Sequence, residues 1–260
     1  MKLSIVIPAY NEEKRIERTL CNYLRFFRDK YGLEFEIIAV LNGCTDGTLE
    51  ILKKYSEEYI QIRYLNFEKA GKGFAILEGF KAAKGDLIGF TDADGSTCAS
   101  EFYKLLYAVY IDNSCPDCVL GSRYLKDSVV EPKQTAMRRL GSRAFNFIVR
   151  CFFGFRIHDT QCGAKVFKKE VIDGITPLIG ISAWAFDIDL LYMAKRKGFN
   201  TLEVPIQWED IAGSSFQLKK AAIRMFLAIT RLRLVHSPFN FIIRFYDIMP
   251  EGIKIHHKIQ

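Results

Sequence analysis

From Leu3 to Ile111, short apolar runs alternate with amphipathic stretches, and this alternation constrains the fold of the 260-residue chain more than any other feature. Each apolar run has the length of a buried strand, and the stretches between the runs repeat apolar residues at helical spacing. Strands and helices that alternate in this way form βαβ units and a mostly parallel sheet. The sequence therefore predicts an α/β fold with a doubly wound sheet and helices on both faces. The predicted strands of this half are Leu3–Pro8, Phe35–Leu41, Ile62–Leu65 and Asp86–Thr91.

Helix signals extend this prediction along the chain. Asn11 is a candidate N-cap for a helix that continues to about Lys30, and Gly71 opens a helix that continues to Lys84. We interpret residues 1–214 as one catalytic domain and residues 215–260 as a basic, amphipathic C-terminal appendage. The later predicted elements are helices over Glu101–Ile111, Thr135–Phe153, Asp187–Lys197 and Phe216–Val235, and strands over Val119–Tyr124, Ala164–Phe167 and Thr201–Pro205.

Polar loops follow the predicted strands, and in an open α/β sheet such loops meet at the edge where ligands bind. Asp92 and Asp94 end one strand, and residues two apart in extended backbone point the same way. Two carboxylates so close favour a hard divalent cation such as Mg²⁺ or Mn²⁺, shared with substrate phosphates. The alternative is an acidic turn that caps a helix. The other predicted edge loops are Pro8–Glu12, Leu41–Asp46 and Ala70–Gly73.

A phosphate-binding signal lies in Gly71-Lys72-Gly73, where a helix start offers backbone N–H groups beside an ammonium. The longer glycine patterns of P-loops and of dinucleotide-binding folds are absent from the sequence. We therefore expect a nucleotide diphosphate that is held by a metal rather than by a glycine-rich loop.

Positive charge is concentrated in two stretches that are also rich in Phe, Ile and Leu. Residues 132–158 contain six Lys or Arg and no acid, and residues 215–260 contain eight Lys or Arg and two acids. This mixture favours an anionic membrane surface over nucleic acid as the partner. No run of 18 apolar residues and no signal peptide are present, and the seven cysteines are scattered. We expect a cytoplasmic protein that binds peripherally to the cytoplasmic face of a membrane.

The sharpest amphipathic pattern is that of Thr135–Phe153. Its apolar side comprises Phe145, Ile148, Val149, Phe152 and Phe153, and its opposite stripe comprises Arg139, Arg143, Asn146 and Arg150. Such a helix can lie on a bilayer, and the alternative is that it simply packs against the sheet.

Several segments resemble, in order and spacing, the motifs of the family 2 glycosyltransferases with the A-type fold, over about the first 210 residues. They are Ser4–Glu13, Thr45–Thr48, Gly71–Gly73, Thr91–Gly95 and Gly121–Tyr124. Within that family, three later segments resemble the dolichyl-phosphate β-glucosyltransferase branch more than the dolichyl-phosphate mannose synthases. These segments are Asp159–Phe167, Trp184–Tyr192 and Gln207–Ser214.

The resemblance implies a role for each matching residue on the donor side. Pro8, Ala9, Tyr10 and Glu12 would line the base and ribose, with Asp46 nearby and Lys72 approaching the donor. Asp92 and Ala93 would contact the ribose side, and Asp94 would bind the metal and diphosphate. In this family the second strand usually ends in two acids before Gly-Ser, whereas here it ends in Leu41-Asn42 before Gly43-Cys44. Asn42 can still hydrogen-bond a base or ribose, so the nucleotide stays open.

On the acceptor side, the resemblance implies inverting transfer to dolichyl or polyprenyl phosphate. Such a phosphate is already ionised near neutral pH, since its second pKa is about 6, so no general base is needed. Arg123, Arg138 and Arg139 are the candidate phosphate partners, together with Ser142 and Trp208. Asp187 and Asp189 would order the acceptor side and belong with Asp92, Asp94, Arg123 and Arg138 to the expected catalytic set. Their alternative role is that of a helix cap and a first-turn acid.

The favoured hypothesis is transfer of glucose from UDP-glucose. GDP-mannose and UDP-N-acetylhexosamine are alternative donors for the same acceptor. From other classes, a sugar nucleotidyltransferase would need a basic, glycine-rich stretch after the first strand, where this chain has two acids in Ala9–Glu13. A non-catalytic membrane-binding module would explain the charge but not the polar edge loops.

Overall fold

The structure is a computed structural model that describes residues 2–132, 135–180, 185–210, 218–238 and 241. Trp184, residues 211–217 and most of the predicted appendage at 215–260 lie outside the described residues, as does the proposed boundary after residue 214. The helices are Ile16–Tyr31 (α1), Thr48–Glu58 (α2), Lys72–Ala82 (α3), Ala99–Ile111 (α4), Ala136–Phe153 (α5), Lys169–Ile175 (α6), Phe186–Arg196 (α7) and Leu218–Val235 (α8).

The centre of the fold is a seven-stranded sheet. Its strands lie in the order Ile62–Phe67 (β3), Phe35–Asn42 (β2), Leu3–Ala9 (β1), Leu87–Phe90 (β4), Lys165–Lys168 (β7), Cys118–Ser122 (β5) and Thr201–Pro205 (β8). All neighbouring strands are parallel except β7, which runs antiparallel to both β4 and β5. The predicted α/β architecture with a mostly parallel sheet is confirmed. Val129–Glu131 (β6) and Gln207–Glu209 (β9) form a separate parallel pair.

Helices cover both faces of the sheet because alternate residues of each buried strand point to opposite sides. Leu3, Ile5 and Ile7 of β1 pack in one core with α1, α2 and α4, and Val6 packs in a second core with α3, α6 and α7. A third cluster joins Leu120 of β5 to α5, α7 and α8. Within the described part of the chain, no helix is both long and apolar enough to cross a bilayer.

The prediction that Asn11 caps the first helix was wrong. The helix begins at Ile16, its N-cap is Arg15, and no side chain caps it. The backbone of Asn11 instead has a positive φ of 53°, in the left-handed region. Its side-chain oxygen accepts a hydrogen bond from the backbone N–H of Thr45 (2.8 Å). Asn readily adopts this left-handed backbone, so Asn11 ties the loop after β1 to the loop after β2.

Candidate active site

The loop that carries Asp92 and Asp94 is held on one side by α1. The Thr19 hydroxyl donates to the carbonyl oxygen of Ala93 (2.8 Å). The Tyr23 hydroxyl hydrogen-bonds both the Thr91 hydroxyl (3.0 Å) and the Thr97 carbonyl oxygen (2.9 Å). On the other side, the Glu209 N–H of β9 donates to the carbonyl oxygen of Ser96 (2.9 Å). These contacts hold the loop between two elements that are distant in sequence.

Tyr23→Phe is expected to lower the free energy of unfolding by about 1–2 kcal/mol, because it leaves buried hydrogen-bond partners unsatisfied. We also expect a higher KM for the donor, since the loop is less firmly held. Urea denaturation and donor-titrated kinetics measure the two effects. Tyr55→Phe is the matched control, as its hydroxyl pairs with Cys21 and Glu17 away from this loop. An equal rise in donor KM in both variants would contradict the proposed role of Tyr23.

Asp92 and Lys72 form an ion pair, with the lysine Nζ 2.5 Å from Oδ1 of Asp92. Loss of water lowers the pKa of Lys72, but the charges of Asp92 and Asp187 outweigh this effect, so the pKa is raised. Loss of water raises the pKa of Asp92; Lys72 opposes the rise, whereas Asp94 adds to it. Asp94 uses Oδ1 to accept the backbone N–H of Ser96 (2.9 Å). The expected donor-side residues Lys72, Asp92 and Asp94 therefore lie together.

Gly163 lies directly behind Asp92, a contact that sequence reasoning missed. A Cβ built on Gly163 would overlap Oδ2 of Asp92 and would lie 2.6 Å from its Cγ. The proximity follows from the register of the antiparallel strand β7, in which Lys165 pairs with Phe90 at the end of β4. Because a lone glycine before a strand carries no signal for this approach, only the sheet topology could have shown it.

The two predicted acids of α7 have different surroundings. The Nζ of Lys165, a fully buried residue, contacts Oδ1 of Asp187 (2.7 Å) and the carbonyl oxygen of Cys162 (2.6 Å). Asp187 also adds to the negative field around Lys72 and Asp92, so it joins the site. Asp189 is also fully buried, but its hydrogen-bond partners differ from those of Asp187. It accepts from the backbone N–H of Gly180 (3.1 Å) and lies 3.0 Å from Nε2 of His236.

The loop after β1 brings Glu12 close to the aspartate pair. Loss of water raises the pKa of Glu12, its ion pair with Arg15 (2.7 Å) lowers it, and the charges of Asp94 and Asp92 raise it further, so the net shift is upward. Pro8 and Ala9 are buried within β1, and Tyr10 is exposed at the strand's end.

Asp46 lies in the loop after β2 and joins it to the loop after β1. Its carboxylate accepts the backbone N–H groups of Glu13 and Thr48 (both 3.1 Å) and the Thr48 hydroxyl (2.6 Å). Loss of water raises the pKa of Asp46, but these hydrogen bonds outweigh it and lower the pKa overall.

Asn42 serves as a tether between three loops. Its amide nitrogen donates to the carbonyl oxygen of Ala9 (2.8 Å), and its oxygen accepts the backbone N–H of Gly71 (3.0 Å). The residue is only 3% exposed, so it offers little surface to a base or ribose. The amide that stands where the family usually has an acid therefore joins β1 and β2 to the start of α3.

Two of the three arginines expected at the acceptor side are ion-paired. Arg123 donates through Nε and Nη2 to the buried carboxylate of Asp159 (2.7 and 2.9 Å). Arg138 reaches Asp210 with Nη1 (3.1 Å). Arg139 is exposed on α5.

The other two residues expected at the acceptor side are Ser142 and Trp208. The Ser142 Oγ is 2.5 Å from the Tyr124 hydroxyl, and the Trp208 ring lies beneath Arg123, at 5.2 Å from its guanidinium carbon.

The predicted polar stripe of α5 needs one correction, because Asn146 is buried rather than on the outer face. Its side-chain oxygen accepts the N–H (2.9 Å) and the hydroxyl (2.8 Å) of Thr160. Apolar side chains occupy much of the outer face instead. The exposed residues there include Met137, Leu140, Ala144, Phe147 and Cys151, which we call the outer stripe.

The donor atoms at the site fit a hard divalent cation. Asp94 has a carboxylate oxygen beyond the one that accepts from Ser96, and Asp92 lies two residues away. Among the described residues, no three His, Cys, Asp or Glu side chains converge as a ligand set. Mg²⁺ is commonly bound through one or two carboxylates plus substrate phosphates and water. Asp94 would therefore hold such an ion together with a diphosphate.

Comparison with known proteins finds matches to glycosyltransferases. The sequence profile described as glycosyl transferase family 2 matches residues 4–176. The dolichyl-phosphate β-glucosyltransferase of Saccharomyces cerevisiae is 32% identical over 250 residues, which cover 90% of this chain and 75% of the relative. That of Homo sapiens is 30% identical over 223 residues, covering 82% of this chain and 69% of the relative.

A solved structure supports the fold. Glucosyl-3-phosphoglycerate synthase from Mycobacterium tuberculosis, in complex with Mn²⁺, UDP-glucose and phosphoglyceric acid, matches with a TM-score of 0.65 and 19% identity. The match covers 90% of this chain and 78% of that chain. At this identity the likeness concerns the A-type fold alone.

Proposed function

The chain belongs to glycosyl transferase family 2, and we propose that it transfers a hexose from a nucleotide sugar to the phosphate of a dolichyl or related polyprenyl lipid. UDP-glucose is the proposed donor. Two relatives that match at least 82% of this chain are named dolichyl-phosphate β-glucosyltransferases, and a protein of the same fold was crystallised with UDP-glucose. GDP-mannose and UDP-N-acetylhexosamine are the donors against which the proposal is to be tested.

One observation carries the choice of a phosphate acceptor, namely the ion pair between Asp187 and the fully buried Lys165. An alcohol acceptor needs a general base to remove its proton. The Lys165 ammonium lies 2.7 Å from Oδ1 of Asp187, which leaves this carboxylate poorly placed to serve as that base. Asp159 is bound to Arg123 in the same way. These pairings support an acceptor that arrives already ionised, as a phosphate monoester is near neutral pH, because such an acceptor needs no general base.

The reaction follows from this arrangement. An oxygen of the lipid phosphate attacks the anomeric carbon, the bond from that carbon to the nucleoside diphosphate breaks, and in-line attack inverts the configuration. Lys72 and Asp92 lie on the donor side, where the ammonium can bind a departing diphosphate oxygen. A bound Mg²⁺ or Mn²⁺ would supply Lewis-acid stabilisation of the leaving group, with Asp94 as its ligand from the protein.

We further propose that α5 lies on the cytoplasmic face of a membrane through the outer stripe. Met137, Leu140 and Phe147 are 71%, 67% and 64% exposed, and Phe226 and Leu227 of α8 are also exposed. The Phe152 and Phe226 rings are 6.2 Å apart, so the two helices present neighbouring apolar surfaces. Exposed apolar side chains beside arginines are typical of a helix that lies in a lipid interface.

Phe147→Asp is expected to weaken binding to anionic liposomes about tenfold, because burial of one aromatic side chain in lipid contributes roughly 1.5–3 kcal/mol. Liposome co-sedimentation measures the change. Ile60→Asp is the control, since Ile60 is 89% exposed and lies two residues before β3, outside α5 and α8. If both variants sediment like the unmodified protein, α5 is not the membrane-binding surface.

A transfer assay tests the proposed reaction. The protein is incubated with radiolabelled UDP-glucose, GDP-mannose or UDP-N-acetylglucosamine, Mn²⁺, and either a short polyprenyl phosphate or the matching prenol. We expect chloroform-soluble product from UDP-glucose and the phosphate only. Product from GDP-mannose alone would overturn the choice of donor. Product from the prenol, or from phosphoglyceric acid in place of the lipid, would overturn the choice of acceptor.

A further inference from the structure

The irregular segment between α5 and β7 is held by side chains from two neighbouring elements. The backbone N–H groups of His158 and Asp159 donate to Oε2 and Oε1 of Glu203 in β8, at 2.8 Å each. The next N–H group, that of Thr160, donates to Oδ1 of Asn146 in α5 (2.9 Å). Residues 158–160 belong to no helix or strand, so these side chains supply the hydrogen-bond partners that their backbone needs.

The alternation of β8 places Glu203 beside this segment. Leu202 and Val204, the neighbours of Glu203, pack against the core that contains α1 and α4. Because successive residues of a strand point to opposite faces of the sheet, Glu203 lies on the other face, where it meets residues 158–160. Its side chain is only 10% exposed. The two backbone hydrogen bonds that it accepts are charge-assisted, and such bonds are stronger than those between neutral groups.

Asp159 transmits this constraint to Arg123. Oδ2 of the fully buried Asp159 accepts both the backbone N–H (3.0 Å) and Nε (2.7 Å) of Arg123, and Oδ1 accepts Nη2 (2.9 Å). A carboxylate that binds two nitrogens of one guanidinium fixes the plane of the guanidinium as well as its position. The orientation of Arg123 therefore depends on where the backbone of Asp159 is held, and Glu203 holds it.

We propose that Glu203 is a positioning residue for the acceptor side: it holds Asp159, Asp159 holds Arg123, and Glu203 itself contacts no substrate. This inference rests on the proposed function and deepens it, because Arg123 is one of the groups expected at the acceptor phosphate. A shift of the backbone at Asp159 would displace the guanidinium of Arg123. The loss should appear as weaker binding of the acceptor, whereas the donor-side pair of Lys72 and Asp92 would keep its contact.

Glu203→Gln tests the proposal, because it replaces one accepting oxygen by an amide group that cannot accept from a backbone N–H. The assay uses a short polyprenyl phosphate that is soluble without vesicles, so that membrane binding cannot affect the result. We expect the KM for this acceptor to rise about tenfold, as for the loss of one hydrogen bond to a charged group, with little change in the KM for UDP-glucose.

Asp117→Asn is the matched control. Asp117 also accepts a backbone N–H, that of Asn200 just before β8 (2.9 Å), and it pairs with Lys168 (2.8 Å). It precedes β5, however, whereas Arg123 follows the end of that strand. Urea denaturation should show a loss of stability in both variants, but only Glu203→Gln should change the KM for the acceptor.

A second variant tests whether Glu203 acts through Arg123. Arg123→Lys keeps a positive charge beside Asp159 but removes the guanidinium that is to be positioned. In this background, Glu203→Gln should raise the acceptor KM much less than it does in the unmodified protein. If the two substitutions instead multiplied their effects, Glu203 would act independently of Arg123 and the proposal would be overturned.

Two further results would overturn it while the unmodified protein transfers glucose to the lipid phosphate. One is an unchanged acceptor KM in Glu203→Gln. The other is an equal rise in the KM values of donor and acceptor, which would indicate a purely structural role. If the unmodified protein used no polyprenyl phosphate at all, the proposed function would fail and this inference would fail with it.

Discussion

Asp94→Asn is expected to lower kcat/KM for sugar transfer by about a thousandfold, with little change in the free energy of unfolding. The side chain keeps an oxygen that can accept the Ser96 N–H, so the turn is preserved. The substitution removes the negative charge through which the protein would hold Mg²⁺ or Mn²⁺ at the diphosphate. Loss of such stabilisation is worth several kcal/mol, and about 4 kcal/mol corresponds to a thousandfold in rate. Steady-state kinetics over a range of Mn²⁺ concentrations measures the effect.

Asp112→Asn is the matched control for this variant. Asp112 also uses Oδ1 to accept a backbone N–H two residues later, that of Ser114 (2.8 Å), but it lies just beyond the end of α4 and is half-buried. We expect its activity to equal that of the unmodified protein. If Asp94→Asn retained a tenth or more of the activity at saturating Mn²⁺, the assignment of Asp94 to the metal would be wrong.

The fold could be predicted from the sequence to the extent that local patterns determine it. Buried strands are continuous apolar runs, so β8 was predicted with its observed bounds, and β1 and β2 were each predicted to within one residue. The sequence also allowed the prediction that the edge loops lie together at one end of the sheet, because parallel strands place their carboxyl ends together. In contrast, the antiparallel direction of β7 depends on a pairing between strands far apart in sequence, which no local pattern encodes.

The chemistry of the site was less predictable than its location. Residue type indicated that Arg123, Arg138 and Asn42 could bind a ligand, but it could not indicate that each already has a protein partner. These partners are remote in sequence: Asp159 for Arg123, Asp210 for Arg138, and Ala9 with Gly71 for Asn42. Because each of these partners is brought close only by the fold, residue type alone could not show that the three side chains are already engaged within the protein.

Lys165 illustrates the same difference on the catalytic side. In the sequence it is one basic residue of a predicted strand, and nothing marks it as functional. In the structure it is fully buried against Asp187 and the Phe90 ring, at 5.2 Å from the ring centroid. The Lys165 ammonium lies 2.7 Å from Oδ1 of Asp187, and this pairing supports the proposal of an acceptor that brings its own negative charge.

Gly163→Ala is expected to lower kcat/KM by about a hundredfold through Asp92, without any contact of its own with substrate. The added methyl group would overlap the Asp92 carboxylate, so either the carboxylate or the loop must shift. Asp92 is the partner of Lys72, and a displacement of about 1 Å in a positioned group can cost about a hundredfold in rate. The effect should appear in the KM for the donor as well as in kcat, because both residues are proposed to contact the donor. Steady-state kinetics and an unfolding titration measure the two consequences.

Gly174→Ala is the control that separates this local overlap from the general effect of a new methyl group. A Cβ on Gly174 of α6 would meet only the Phe199 ring, at an ordinary distance of 3.8 Å. Since alanine favours a helix over glycine by up to about 1 kcal/mol, this variant should be equally active and slightly more stable. If Gly163→Ala kept full activity, the carboxylate of Asp92 would not need its observed position. The ion pair with Lys72 would then have a structural role rather than a role in donor binding.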